Sequence, residues 1–254
     1  MASLPSVGTP TRAPSEAEAD SGGHAGAILQ NLWASGCPHA DIVFQCPDTS
    51  AGSATSPGAS YAELRAHKAV VAGASSMLDG LLYGGLCEAG AQRVTLTFPP
   101  AAIFKQVLRW IYTGQADVQL SNFVPLRAAA SYFLLPRLEG VILRQVAAWM
   151  RDSPSAAARV LQQLVLQTEE AALANEDILT TAVMEICFQP RALVHSPVWP
   201  QLHPAAVHLL LSCDDFALSE PELAHALLAW GREQAASTSS TMRQVVAPLC
   251  AALR

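Results

Sequence analysis

Strand-forming patterns occur only in the first half of this 254-residue chain, and this asymmetry constrains the fold more than any other feature. The side chains of Ile42, Phe44 and Cys46 share one face of a short β-prone run. A Gly/Ser/Pro-rich stretch, residues 47–60, separates this run from a second one, Tyr61–Ala66. The two runs are therefore expected to pair as a β-hairpin with an enlarged loop.

A third strand and several helices are predicted to complete the first half. Val94, Leu96 and Phe98 alternate with threonines, which predicts a strand that stops at Pro99. Apolar residues then recur at helical spacing, most clearly from Ile103 to Ile111. This mixture predicts an α+β domain in which helices flank a small sheet.

Beyond Pro154 the patterns are helical throughout. Apolar stripes at helical spacing run through residues 160–165, 178–186, 204–211 and 223–230. Ser219 and Glu222 have the spacing of a capping box, which predicts the start of the last of these helices. We predict that the α+β domain spans residues 27–151 and that an all-α domain spans residues 152–254.

The N-terminal residues 1–26 are rich in Ser, Pro, Ala, Gly and Glu and contain no aromatic residue. They offer little apolar surface to offset the entropy of ordering, so a disordered tail is expected there. This end lacks a basic stretch followed by an apolar core, so no signal peptide is expected. No apolar run in the chain approaches the ~20 residues that a transmembrane helix needs.

Composition excludes several classes of partner. Hydrophobic residues make up 51% of the chain and charged residues only 14%, which is enough apolar material for a sizeable core. The formal charge is −6 and the only lysines are Lys68 and Lys105, so no cationic cluster is available for nucleic acid or a membrane surface. The six cysteines are far apart without a C-x-x-C pair, as is usual for reduced thiols in intracellular chains. A cytoplasmic or nuclear location, or both, is expected.

No arrangement of residues predicts catalysis. The nucleotide-binding patterns G-x-x-x-x-G-K-[ST] and G-x-G-x-x-G and the hydrolase pattern G-x-S-x-G do not occur. His203 and His208 are not at the i, i+4 spacing that directs two imidazoles at one metal, and Asp214-Asp215 fits a turn between helices. Cys87 and His67 lack a third group that would orient them as nucleophile and base. We therefore expect no enzyme activity, no cofactor and no metal.

Four segments of the first half together resemble the BTB/POZ family. His67–Ala72 (HKAVVA) is similar to the family's H-[KR]-x-V-L-A stretch, and Ala40–Phe44 is similar to its opening strand, S-D-V-x-F. Tyr112–Gly114 is similar to the Y-T-G that ends a family helix, and Ala128–Leu134 to the A-A-x-x-L helix. The resemblance covers about residues 30–150 and implies a BTB/POZ fold for this part of the chain.

The second half resembles the BACK domain, an all-α domain that often follows a BTB/POZ domain. Leu202–Ser212 is similar to its L-x-x-x-x-L-x-x-L-L helix, and Asp214–Glu220 to its D-D-L-x-V-x-S-E segment. Ala229-Trp230 is similar to its closing A-x-x-x-W helix. Many members continue into kelch repeats, whereas this sequence stops at Arg254, so it is expected either to lack a separate substrate domain or to be a fragment.

The BTB/POZ resemblance implies a symmetric homodimer. In the family, the Asp of the first strand pairs with the basic residue after the His near the dimer interface, and Asp41 and Lys68 occupy these positions. We expect loss of either side chain to leave the other as a partly buried charge and to weaken the dimer.

The resemblance also implies a role in ubiquitination, because members with a BACK domain often act as adaptors of cullin-3 ubiquitin ligases. Their cullin contact includes an apolar-x-Glu motif, which Leu86-Cys87-Glu88 matches, with Leu86 as the buried anchor and Glu88 as a polar contact. The implied function is a non-catalytic, dimeric adaptor that recruits an unidentified protein substrate to cullin-3. The alternative is a BTB-dimer scaffold or transcriptional cofactor with no cullin role.

Overall fold

The computed structural model describes residues 16–48, 60–85, 90–167, 174–238 and 241–250. The first half has an α+β architecture, in which short strands alternate with helices. Its elements are α1 (Glu16–Ala34), β1 (Ile42–Pro47), β2 (Tyr61–Ala66), α2 (Lys68–Ala74), α3 (Ser76–Tyr83), β3 (Arg93–Thr95), α4 (Ala101–Thr113), α5 (Phe123–Tyr132) and α6 (Pro136–Asp152).

The small sheet has the strand order β2–β1–β3. Strands β1 and β2 are antiparallel, with Ile42 opposite Ala66, which confirms the predicted hairpin. Strand β3 is parallel to β1, with Val94 beside Phe44. The predicted alternation is also confirmed, because Ile42, Phe44 and Cys46 are all buried.

The third strand is shorter than the sequence predicts. Strand β3 ends at Thr95 rather than at Phe98, although Leu96 still donates its N–H to the carbonyl of Gln45 at 2.9 Å. Two prolines follow Phe98, and a proline offers no N–H to a strand and restricts the residue before it. Side-chain alternation alone therefore overestimates the strand at this end.

Helix α1 begins at Glu16, so residues 16–26 are helical, which differs from the disordered tail expected over residues 1–26. Residues 1–15 lie outside the described ranges. Residues 16–26 contain three glycines besides Ala and Glu, so their helix does not follow from propensity and continues the part of α1 that packs on the core. The C-terminal part of the helix packs against the core through Leu29, Leu32 and Trp33.

A line of aromatic rings organises the core of the first half. Phe44 on β1 meets Phe104 on α4 edge to face, with ring centroids 5.0 Å apart. Phe104 also contacts Phe133, which follows α5, with centroids 5.2 Å apart. All three side chains are fully buried, so these rings join the sheet to α4 and α5.

The described part of the second half contains helices and turns but no strand, as predicted. Its elements are α7 (Pro154–Val165), α8 (Glu176–Phe188), α9 (Pro190–Val194), a 3-10 turn (Trp199–Gln201), α10 (Pro204–Leu211), α11 (Glu220–Thr238) and α12 (Met242–Cys250). Glu222 caps α11 as the sequence predicts, because its Oε2 accepts the N–H of Ser219 at 3.1 Å.

Two buried tryptophans connect the 3-10 turn to α11. The indole N–H of Trp199 donates to the carbonyl of Ala226 at 2.8 Å. The indole N–H of Trp230 donates to the carbonyl of Leu202 at 2.9 Å. Each segment therefore donates to the other, and both bonds are shielded from water.

The two halves meet at a break between helices. Ser153 ends α6, and its hydroxyl accepts the N–H of Ala156 at 3.1 Å, which caps α7. The buried side chains nevertheless form one continuous cluster that includes residues of both halves. The predicted boundary between residues 151 and 152 thus lies at a helix end without a gap in the core, and the independence of the two parts stays a prediction.

Arg127 on α5 provides a polar link between the halves. Its Nε donates to Glu139 on α6 at 3.2 Å, and its two terminal nitrogens donate to both carboxylate oxygens of Asp177 on α8 at 2.8 and 3.1 Å. It also donates to the side-chain oxygen of Asn175 at 3.0 Å. The Arg127 side chain is only 13% exposed, and its planar guanidinium donates hydrogen bonds in several directions.

Candidate interaction surface

His67 lies between β2 and α2, and both of its ring nitrogens are bonded. Nε2 is 2.8 Å from the carbonyl oxygen of Pro38, which can only accept, so this nitrogen carries the proton. Nδ1 is then an acceptor for the Tyr112 hydroxyl at 2.9 Å, and the same hydroxyl accepts the backbone N–H of His67 at 2.8 Å. The imidazole therefore joins three segments of the fold, which agrees with a structural role.

The turn between α1 and β1 is held by this network. Gly36, Cys37 and His39 have positive φ values of 74°, 53° and 61°, and residues with side chains adopt this conformation at a cost of about 1–2 kcal/mol. The Cys37 thiol is buried, which raises its pKa, and it is hydrogen-bonded to Tyr112. Burial likewise raises the pKa of Tyr112 to about 12. Tyr112 thus connects a strained turn to α4.

Asp41 and Lys68, the two predicted dimer residues, are neighbours. Asp41 Oδ1 accepts the backbone N–H of Lys68 at 2.7 Å, which satisfies a donor in the first turn of α2. Asp41 is exposed and Lys68 is half-buried. Within the described residues no ion pair joins their side chains, so the observed contact needs the backbone of Lys68 and not its charge.

The predicted cullin-binding residues Leu86 and Glu88, with Cys87 between them, lie outside the described residues. Helix α3, which precedes them, ends at Tyr83, and this side chain is 56% exposed. The start of α3 is tied to the end of α5, because the buried Ser75 hydroxyl donates to the carbonyl of Phe133 at 2.6 Å.

The end of α5 exposes apolar side chains that we call the α5-end patch (Tyr132 and Leu134). Tyr132 is 46% exposed and Leu134 is 58% exposed. Leu134 also has a positive φ of 53° at a helix terminus where Gly or Asn is usual. The fold therefore tolerates a strained backbone there and still presents a leucine to solvent.

The fold and the motifs agree with a known family model. The model of the BTB/POZ domain matches residues 58–145, which run from β2 into α6. This segment is a BTB/POZ domain. Such domains are generally non-catalytic modules of protein interaction that commonly dimerise and bind partner proteins. Strand β1 lies upstream of the matched residues and pairs with β2 of the BTB/POZ domain.

Solved structures of similar chains include a BTB domain from zebrafish. The BTB domain of zebrafish PATZ1 is similar at 19% sequence identity and a TM-score of 0.39, and the match covers 50% of this chain and 94% of that chain. No curated protein matches the chain.

Several residues considered for catalysis in the sequence make structural contacts, while Cys87 lies outside the described residues. His67 is used in the network above, and His203 Nδ1 accepts the N–H of Ala205 at 3.2 Å at the start of α10. Asp214 and Asp215 lie in a turn, as predicted. In the ranges that the structure describes, no three His, Cys, Asp or Glu side chains gather as a metal site requires. None of the described helices is both long and apolar enough to cross a bilayer.

The helical half contains features that the sequence analysis missed. The sequence indicates isolated thiols, but the sulfurs of Cys187 and Cys213 lie 3.7 Å apart. Helix α8 buries Ile178, Ala182 and Ile186 as predicted, and it also exposes Met184 and Phe188, which are 68% and 83% exposed. The sequence does not indicate the contact between these cysteines, because they are 26 residues apart and belong to different helical segments.

Proposed function

We propose that this chain is a non-catalytic adaptor that forms a homodimer and recruits a protein substrate to a cullin-3 ubiquitin ligase in the cytoplasm, the nucleus or both. The observation that carries the proposal is the BTB/POZ domain at residues 58–145, which contains an apolar-x-Glu motif at Leu86-Cys87-Glu88. In this proposal Leu86 is the buried anchor of the cullin contact and Glu88 supplies a polar contact.

The helical half is proposed to be a BACK domain spanning residues 152–254. Two features support this proposal beyond the motif resemblance. The segment from Leu202 to Ser212 contains helix α10, which buries Ala206, Val207 and Leu210, and the segment Asp214–Glu220 leads directly into α11, whose start is capped by Glu222. A BACK domain attached through a continuous core would hold the substrate end of the adaptor at a fixed distance from the BTB/POZ domain.

The α5-end patch supports a protein partner on the BTB/POZ domain. A leucine at a left-handed helix terminus lowers the stability of the free chain, and burial against a partner would compensate for it. The Ser75–Phe133 hydrogen bond attaches this patch to the helix that leads to Leu86. We therefore include Tyr132 and Leu134 in the proposed cullin contact.

Co-purification with cullin-3 tests the proposal and its alternative. Leu86→Asp and Glu88→Ala should each reduce the amount of cullin-3 recovered, with the larger loss at the apolar anchor. Leu228→Asp and Glu233→Ala are matched controls at exposed positions of α11 and should leave recovery unchanged. If both motif variants retain cullin-3, or the unaltered chain recovers none, the chain is a BTB scaffold without a cullin role.

A second variant separates binding from folding. Leu134→Gly removes an apolar contact but also relieves the positive φ, so it should weaken cullin-3 binding while leaving the melting temperature unchanged or higher. A general folding defect would lower both quantities. Unchanged cullin-3 recovery would exclude Leu134 from the contact.

The dimer part of the proposal is tested by sedimentation of three variants. Asp41→Asn removes the charge but keeps an oxygen that accepts the Lys68 N–H, and Lys68→Met keeps that N–H. Both should weaken a dimer that depends on the two charges and leave the monomer's stability almost unchanged. Asp41→Ala also removes the capping bond and should cost about 1 kcal/mol of stability. If only Asp41→Ala has an effect, Asp41 is a helix cap and not a dimer residue.

A further inference from the structure

Two cysteines from different helices meet in the second half. Cys187 lies in the last turn of α8, and Cys213 follows the end of α10. Their Sγ atoms are 3.7 Å apart, which is contact distance for two thiols. Both side chains are half-buried, whereas Cys37 and Cys46 of the first half are buried. A small reagent can therefore reach this pair more easily than those two thiols.

We propose that Cys187 and Cys213 form a reversible disulfide when the protein meets hydrogen peroxide, so that the pair is a redox modification site of the helical half. A disulfide has an S–S length of about 2.05 Å, so the two sulfurs must approach each other by about 1.7 Å. Rotation of two cysteine side chains supplies movements of this size. The contact seen in the reduced protein is thus close to the bonded arrangement.

The backbone around Cys213 is fixed, which keeps its thiol beside α8. The N–H of Cys213 donates to the carbonyl of Leu210 at 3.1 Å, and its own carbonyl accepts the N–H of Phe216 at 3.1 Å. Phe216 is 8% exposed and stacks on the buried Trp199, with ring centroids 6.2 Å apart. The turn that carries Cys213 is therefore anchored on both sides.

The oxidation occurs in two balanced steps. The Cys213 thiol gives up its proton, and its sulfur attacks one oxygen of hydrogen peroxide, which breaks the O–O bond and leaves a sulfenic acid and one water. The Cys187 sulfur then attacks the sulfenic sulfur, and its proton leaves with the departing oxygen as a second water. Two thiols and one peroxide thus become one disulfide and two waters.

The steps are written with Cys213 as the first nucleophile, and they balance equally with the two thiols exchanged. Both thiols are half-buried, and burial followed by the neighbouring Cys213 and Asp215 raises the pKa of Cys187. Once one thiol is a sulfenic acid, its electrophilic sulfur lies beside the other sulfur, and proximity favours the second step.

The disulfide would tie the end of α8 to the turn after α10. Helix α8 carries the exposed Met184 and Phe188, so the cross-link would fix the last turn of the helix that presents these side chains. The oxidised protein is therefore expected to show slower amide exchange around Cys187 and between Cys213 and Phe216. The rest of the helical half should change little.

Peptide mapping gives a direct test on the full chain. The cleavage sites Arg159, Arg191 and Arg232 place Cys187 in the tryptic peptide 160–191 and Cys213 in the peptide 192–232, each with one cysteine. After treatment with hydrogen peroxide and alkylation of the remaining thiols, the two peptides should appear as one linked species. Dithiothreitol should separate them and restore both free thiols.

Two variants test the intermediate. Neither Cys187→Ser nor Cys213→Ser should give a linked peptide, and dimedone should trap a sulfenic acid on the cysteine that remains. A linked species that forms only in urea-unfolded protein would overturn the proposal. Irreversible oxidation of Cys213 without any linked peptide in the folded protein would overturn it as well.

Discussion

Different kinds of hydrogen bond hold the connecting turns in the sheet-bearing half and in the helical half. In the first half, His67 and Tyr112 form a network that is only partly buried. In the second half, the indoles of Trp199 and Trp230 donate to backbone carbonyls inside the core. An indole N–H does not titrate, whereas the Tyr112 phenol loses its proton in alkali, with a pKa raised to about 12 by burial.

The two halves therefore fix a turn in two different ways. The turn before β1 has little apolar surface of its own and several residues with positive φ, so polar side chains from the β2–α2 junction and from α4 hold it. The 3-10 turn places Trp199 in the core and is held mainly by burial. We expect the first connection to respond to pH and to single polar substitutions, and the second to respond to loss of volume.

The largest expected effects come from the aromatic cores of both halves. Phe104→Ala and Trp230→Ala each remove a fully buried ring and should lower the free energy of unfolding by about 3–5 kcal/mol. Urea unfolding followed by far-ultraviolet circular dichroism measures this change. Because the buried cluster is continuous, each variant should shift one transition for the whole chain. Two separate transitions, with only one shifted, would show that the halves are independent.

Much of the fold was predictable because local patterns agreed with tertiary packing. Alternation placed Ile42, Phe44 and Cys46 in the core, and the capping box placed the start of α11. The errors occurred where another constraint overrode the pattern. Prolines shorten β3, and helix α1 begins at Glu16, within the stretch that the sequence predicts to be a disordered tail.

The hydrogen bonds between His67 and Tyr112 are expected to give the next largest effect. Tyr112→Phe removes a hydroxyl that accepts the His67 N–H and donates to its ring, and it should cost about 1–3 kcal/mol of stability. Tyr132→Phe is the matched control, because Tyr132 is 46% exposed and its hydroxyl has no hydrogen bond in the described part of the chain. Thermal unfolding of both variants gives the comparison. Equal effects would mean that the network contributes nothing specific to Tyr112.

The same connection predicts a loss of stability in alkali. Burial raises the pKa of Tyr112 from 10.0 to about 12, so the unfolded chain loses this proton first as the pH rises. The stability that Tyr112 contributes is fully present below pH 10 and is lost as the pH approaches about 12. Cys46 and Cys187, raised from 9.0 to about 12 by burial, act in the same direction. Tyr112→Phe should therefore reduce the slope of stability against pH above 10 without removing it.

The candidate site was less predictable than the fold. The role of Asp41 and Lys68 in a dimer stays a prediction, and within the chain Asp41 accepts the backbone N–H of Lys68. Motif matching identifies residue types, and it does not show which atom of a residue makes the contact. Arg127, Cys187 and Cys213 depend on contacts between distant helices, so no local pattern could have indicated them.

The smallest of the expected effects lies at the link between the halves. Arg127→Met removes the bonds to Glu139, Asn175 and Asp177 and should lower stability by about 1–2 kcal/mol, because the partner carboxylates are partly exposed. Arg137→Met is the control, since Arg137 is exposed and forms no ion pair among the described residues. Chemical unfolding at pH 7 compares the two.

The dependence of stability on acid pH tests whether Asp177 is the main partner of Arg127 in the link between the halves. Partial burial alone would raise the pKa of Asp177, but the bonds and charge of Arg127 outweigh it and hold the pKa below its ordinary 3.8. The stability from Asp177 is therefore present above pH 3.8 and is lost as the pH falls through the lower, folded-state pKa. Asp177→Asn should flatten the stability profile below pH 4, and the same substitution in an Arg127→Met background should add almost nothing. An undiminished effect in that background would show that Asp177 acts through the N-terminus of α8 instead of through Arg127, and the two halves would then lack this polar link.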